Sequence, residues 1–177
     1  MWVILMNNEL VLVKIKTDYC DYLRKYDCRV PYNFNHKENR PFIGVLFEVE
    51  NCKYFAPLSS PKIKHLKMKN KIDFLKLDKG KLGAINFNNM IPVTDENIIK
   101  INLDERVLDK EKEKYQKLLK EQIFWLNRNR LQLYTKANKL YNNYVNGKLD
   151  KNTFERCCDF KLLEIKCEEY NNIMVSV

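Results

Sequence analysis

Residues 53–62 read KYFAPLSSPK, and they bring two adjacent hydroxyls, Ser59 and Ser60, within two positions of an ammonium group, Lys62. Hydroxyl donors and a cation aimed at the same point are what the non-bridging oxygens of a phosphodiester need as charge builds on them in a transition state. Pro57 and Pro61 flank the pair and fix φ on both sides, so little backbone freedom is lost when the hydroxyls are held in place. Cutting RNA without a metal asks for three things. The neighbouring 2′-hydroxyl must lose a proton, the pentavalent phosphorane must be stabilised, and the departing 5′-oxygen must gain a proton. A lysine or histidine tuned by its surroundings, or a tyrosine, can carry the protons. The chain holds candidates for each part: His36 and Arg40 in the loop before the next strand, His65 three residues past Lys62, and Tyr19 at the start of the first helix. The competing reading of Ser-Ser-Pro-Lys is a proline turn, and of each histidine a surface side chain.

Charge runs in the same direction. The formal net charge is +9, and residues 61–81, with eight lysines and two aspartates, carry most of it. Lys62, Lys64, Lys67, Lys69 and Lys71 recur almost every second position, with Ile63, Leu66 and Met68 between them. An extended segment would set several of these ammonium groups along one side, as a stripe that follows a phosphate backbone. A solvated lysine face is the alternative.

Other classes drop out on composition. No apolar run approaches the roughly 18 residues that a membrane span requires, and the N-terminal MWVILM is too short and lacks the flanks of a signal peptide. Met6 reads as an alternative start, which makes residues 1–5, and at most 1–9, a dispensable extension. Six cysteines without a CxxC spacing and only two histidines argue against a zinc site. Unpaired thiols suit a reducing cytoplasm. The expectation is a cytoplasmic protein of one domain, residues 1–177, with no metal and no cofactor.

The elements that must position these groups change character halfway along. LVLVKIK (10–16) reads as a strand, followed by a short helix capped by Thr17 or Asp18. Residues 30–41 read as a long polar loop, 42–50 as the firmest strand, and 51–58 as its hairpin partner, with Asn51 in the turn. Short strands follow at 73–77, 83–87 and 90–93. From Asp104 the apolar period becomes helical, giving two helices interrupted near 127–130, a glycine stop at Gly147 and a last helix at 160–170 capped by Asp159. Strands first and helices second predict an α+β fold, a strongly twisted antiparallel sheet with helices packed against it.

Three segments, DYCDYLRKYDCRVP, RPFIGVLFEVENCKYFAPLSSPK and LGAINFNNMIPV, together with the late CDFKLLEIKCEEY, resemble in order and spacing the RNase toxins of type III toxin–antitoxin and phage abortive-infection systems, the ToxN/AbiQ/CptN-like family. The likeness runs from about residue 11 to 171. It implies a Kid/MazF-related, barrel-like sheet core elaborated by helices. It also implies metal-independent endoribonuclease activity leaving a 2′,3′-cyclic phosphate and a 5′-hydroxyl. The partner it implies is an antitoxin RNA, cut by the toxin from a repetitive precursor, whose pseudoknots block the active site and bridge toxin copies into closed hetero-oligomers. Carried over by position, the catalytic set is Ser59, Ser60, Lys62, Arg40 and His36, the last standing where some relatives have tyrosine. Ser59 stands where relatives often have threonine. Tyr19, Lys64, His65, Lys67, Lys69 and Lys71 are the expected RNA contacts. A non-catalytic basic RNA-binding module is the alternative.

Overall fold

The computed structural model describes residues 9–31 and 40–175, the last three by backbone alone. Eight strands form an antiparallel sheet, with β1 Val11–Ile15, β2 Phe42–Gly44, β3 Glu48–Val49, β4 Cys52–Ser59, β5 Phe74–Lys76, β6 Ala84–Asn86, β7 Ile91–Val93 and β8 Ile98–Lys100. Six helices accompany it: α1 Thr17–Arg24, α2 Ile63–Lys67, α3 Lys110–Arg128, α4 Arg130–Val145, α5 Lys151–Arg156 and α6 Phe160–Val175. The main path of the sheet is β5-β6-β4-β2-β1-β8, an open order with β3 and β7 also paired to β4.

β4 is the hub because it changes partners along its length. Its first half, Lys53 to Phe55, pairs with β7, and Cys52 and Lys53 pair with β3. At Ala56 and Pro57 it turns to β2, and at Leu58 and Ser59 to β6. Residues 54–58 are all buried, the continuous burial expected of a strand covered on both faces. Pro57 therefore lies inside the strand, not at its end. β4 runs one residue further than the sequence reading, to Ser59.

The helices fix this hub. Glu164 of α6, only 8% exposed, accepts the hydroxyl protons of Tyr54 on β4 (2.8 Å) and Tyr141 on α4 (2.6 Å), and its other oxygen meets the Lys161 ammonium at 2.5 Å. A buried carboxylate is tolerable only when paired and hydrogen-bonded in this way. Phe47, Tyr54, Tyr141 and Phe160 close around it in tilted, stacked and edge contacts. Asn129 separates α3 from α4, inside the interval where the helical period breaks. Asp109, Asp150 and Asp159 accept from Lys112, Thr153 and Leu162 respectively, each capping an orphan N–H of a first turn.

The early loop is tied to α6 by Asp27, which is 4% exposed. Its oxygens accept from the Arg29 guanidinium (2.8 and 3.1 Å), the Arg29 N–H (2.9 Å) and the Asp159 N–H (2.6 Å). Burial opposes ionisation, but these donors outweigh it and hold the carboxyl below its usual range. A depressed folded-state pKa contributes stability that is present above the unfolded value, about 3.9, and lost as pH falls through the folded one. Asp27→Asn is thus expected to cost about 2 kcal/mol at pH 7. Urea titrations should show the gap between variant and wild type closing below about pH 4. A gap that stays constant with pH would refute the assignment.

Several expected elements differ in detail. The strand over 42–50 is interrupted at Val45–Phe47, α1 begins after Lys16 without a side-chain cap, and β8 and α5 are additions. The expected extended lysine stripe is corrected as well. Residues 63–67 are a helical turn, and the chain is extended on either side of it, at Lys62 and at Met68.

Candidate active site

Hydrogen-bonded β4 delivers Ser59 to the sheet rim, and the next three residues leave it. Ser60, Pro61 and Lys62 are exposed, and Lys62 is extended (φ −139°, ψ 146°) before the chain turns into α2. The Ser59 Oγ accepts a hydrogen bond from Asn86 Nδ2 at 3.1 Å. With its oxygen engaged as acceptor, the hydroxyl keeps its own proton to give to an incoming anion. Asn86 thus sets the polarity of Ser59.

Registry decides which side chains stand beside that hydroxyl. Ser59 pairs directly with Ala84, and Ala84 with Lys76. On the other side of β4, Phe42 pairs with Pro57, and the Leu58 N–H donates to the Pro41 carbonyl at 2.9 Å. Continuing that register by two positions sets Arg40 across from Ser59. Directly opposed residues on neighbouring strands point to the same face, so Ser59, Ala84 and Lys76 form a row across β4, β6 and β5, with Arg40 in line with it just before β2 and Ser60 and Lys62 following β4. Arg40 is half-buried, and burial pushes its guanidinium pKa down. It remains a cation at neutral pH.

Two glycines make room for the arrangement. A Cβ on Gly83 (φ +99°) would lie 1.9 Å from the Ser59 carbonyl oxygen and 3.1 Å from the Ser60 carbonyl carbon. A Cβ on Gly80 (φ +98°) would lie 2.9 Å from the His65 carbonyl. The turn between β5 and β6 therefore presses, backbone on backbone, against both ends of the Ser59–His65 segment. Only glycine combines that approach with positive φ.

Of the expected catalytic residues, Arg40, Ser59, Ser60 and Lys62 fall in this one region, and His36 lies outside the described residues. Two of the expected RNA contacts are corrected. Tyr19 is fully buried, its hydroxyl donating to the Pro92 carbonyl at 2.7 Å, so it holds α1 to β7 and does not face a ligand. His65 is 3% exposed, with its ring 6.0 Å from that of Phe74, so it anchors α2 from within. Burial first, then Lys62 and Lys64, push its imidazole pKa down. Lys64, Lys67, Lys69 and Lys71 are exposed. Asn86 and Lys76 enter the site without having been expected. The period-two pattern of AINF and FLK places each on a strand, but only the pairing of β4, β5 and β6 brings them to Ser59.

A guanidinium, two serine hydroxyls and an ammonium make a site for an anion with several acceptor oxygens, such as a phosphodiester. A family model described as Toxin ToxN, type III toxin–antitoxin system, matches residues 11–168 of the chain. A protein of Bacillus thuringiensis subsp. kurstaki named Endoribonuclease ToxN is 34% identical over 160 residues, which cover 88% of this chain and 81% of that protein. Endoribonuclease AbiQ of Lactococcus lactis subsp. lactis is 29% identical over 167 residues, 89% of this chain and 87% of AbiQ. A solved type III toxin–antitoxin structure, described as selective toxin inhibition by a non-coding RNA pseudoknot, superposes with a TM-score of 0.78 at 32% identity. It covers 93% of this chain and 99% of its own. The structure of AbiQ, described as a lactococcal anti-phage endoribonuclease, gives a TM-score of 0.79 at 26% identity over 93% of this chain and 99% of its own.

Proposed function

The chain belongs to the ToxN family of type III toxin–antitoxin toxins, and from that premise we propose that it is an endoribonuclease toxin working by attack of the RNA 2′-hydroxyl on the adjacent phosphate. No metal takes part, and the products carry a 2′,3′-cyclic phosphate and a 5′-hydroxyl. Ser60 and Lys62 bind the scissile phosphate, Ser59 supports them with the proton that Asn86 leaves free, and Arg40 adds charge from the neighbouring strand. His36, or Lys62 itself, moves the protons. The support for this reading is that β4 ends at Ser59, with Ser60 and Lys62 exposed just beyond it and Arg40 in line with it by register, in a chain whose relatives are named endoribonucleases.

A pseudoknotted antitoxin RNA is the natural inhibitor in this reading, since a structural neighbour is described with one. It would cover the same cationic rim, be trimmed by it from a repeated precursor, and bridge toxin copies into a closed assembly. No helix among the described residues is long and apolar enough to cross a membrane. The toxin acts in the cytoplasm, where its RNA partners and substrates are made.

The test is cleavage of cellular RNA by the purified chain in excess EDTA, with the product ends identified. Undiminished cleavage leaving cyclic phosphate is expected. Loss of activity on chelation, or 3′-hydroxyl ends, would overturn the mechanism. Salt-sensitive RNA binding with no cleavage would leave a binding module in its place.

A further inference from the structure

A cavity of about 540 Å³ opens beside the catalytic row, where the strand-end lysines meet the break between α3 and α4. That volume lies within the range of small-ligand pockets. Its wall carries Lys67, Lys69, Lys76 and Lys79 from the strand end and its flanking turns, and Trp125 and Gln132 from α3 and α4. No acidic residue among the described residues lines it. Four ammonium groups without a carboxylate among them favour an anion, but an anion alone would leave the indole without a role. Trp125 is half-buried, packed partly against the core, and still borders the cavity. Trp125 and the lysines together match a nucleotide, with its phosphate among the lysines and its base on the ring.

Lys76 connects this cavity to the scissile-phosphate site. It stands in the row with Ser59, two strand spacings or about 10 Å away, a span that single-stranded RNA crosses in one or two nucleotides. It is also held in place, its N–H donating to Asn70 Oδ1 at 2.8 Å and its ammonium to the Leu66 carbonyl at 3.4 Å. The cavity is too small for a duplex, so the strand that enters it is unpaired there.

We propose that this cavity is a base-binding subsite for the nucleotide flanking the cleaved phosphate, with Trp125 as the stacking platform, Gln132 facing the base edge, and Lys76 carrying the intervening backbone. The inference rests on the endoribonuclease reading and adds to it a sequence-selecting pocket on the helical half of the chain.

Two measurements test it separately from that reading. The first uses oligoribonucleotides spanning a mapped cleavage site, each with one abasic nucleotide near the cut. For wild type, one flanking position is expected to lose about 5- to 150-fold in kcat/KM. In Trp125→Ala the same abasic substitution should cost less than about twofold, because the platform it needs is already gone, and Trp125→Phe should retain most of the wild-type sensitivity. Abasic penalties that are unchanged in Trp125→Ala would overturn the subsite. The second measurement takes the Trp2→Phe chain, in which Trp125 is the remaining indole, and follows its emission on adding single-stranded homopolymer RNA. Quenching is expected. Cleavage of the mapped oligonucleotide without quenching sinks the subsite alone, whereas quenching with no cleavage of cellular RNA sinks the endoribonuclease reading and with it the pocket's place beside a cleaved phosphate.

Discussion

Lys62→Ala is expected to slow RNA cleavage by about 10²–10³-fold, the usual cost of deleting one preorganised group that stabilises transition-state charge. The loss should fall mainly on kcat, since the ammonium matters most when the phosphorane carries extra negative charge. The fold should survive. Lys62 is exposed and extended ahead of α2, a conformation alanine adopts freely, and the contact it makes there is through its backbone carbonyl, which accepts from the His65 N–H at 2.8 Å. Lys62→Arg separates two roles. Arginine keeps the charge but does not give up a proton at physiological pH. If Lys62 only stabilises charge, the arginine variant should keep about a tenth or more of the activity, within the range set by one charge-assisted contact. If it also transfers a proton, the arginine variant should be as inactive as the alanine one. Cleavage by Lys62→Ala within about threefold of wild type would remove Lys62 from the mechanism.

Gly83→Ala should be as damaging as a catalytic substitution although it alters no reactive group. The new Cβ would stand 1.9 Å from the Ser59 carbonyl oxygen, at a backbone φ of +99°. The conformational cost is about 1–3 kcal/mol, and the contact must push the β5–β6 turn away from Ser59–Ser60. We expect about 3–5 kcal/mol of lost stability and, in the molecules that still fold, a rate drop of about 10²-fold from displaced hydroxyls. Gly147→Ala is the matched comparison. Gly147 also has positive φ, +63°, but a Cβ there would have nothing within 4 Å, so only the backbone cost of about 1–2 kcal/mol applies. Urea unfolding and cleavage rates of the two variants should diverge. Equal and mild effects would show that the close approach at Ser59 does not matter.

Much of this was legible in the residues themselves. Alternation over 10–16, the helical period after Asp104 and the cap at Asp159 are local signals, and a strand, two long helices and a capped last helix stand there. The short elements β8 and α5, three and six residues long, carry too little periodicity to stand out. The lysine stripe misled because its near-alternation mimics an extended segment. Helical pairing of Ile63 to Lys67 instead lets His65 turn inward against Phe74.

By itself the sequence determined the chemistry on offer and the family: two hydroxyls and an ammonium at the end of one strand, a cationic chain, and motifs whose order matches the ToxN toxins. Which groups stand together was decided by the tertiary structure. Asn86 reaches Ser59 by a hydrogen bond, and the registers of β2, β4, β6 and β5 set Arg40 and Lys76 in line with it. Tyr19 and His65 are withdrawn because their rings are worth more in the core than at the surface. Register and burial are settled between segments far apart in the chain, by pairing every backbone donor and filling the core. No local pattern contains that information.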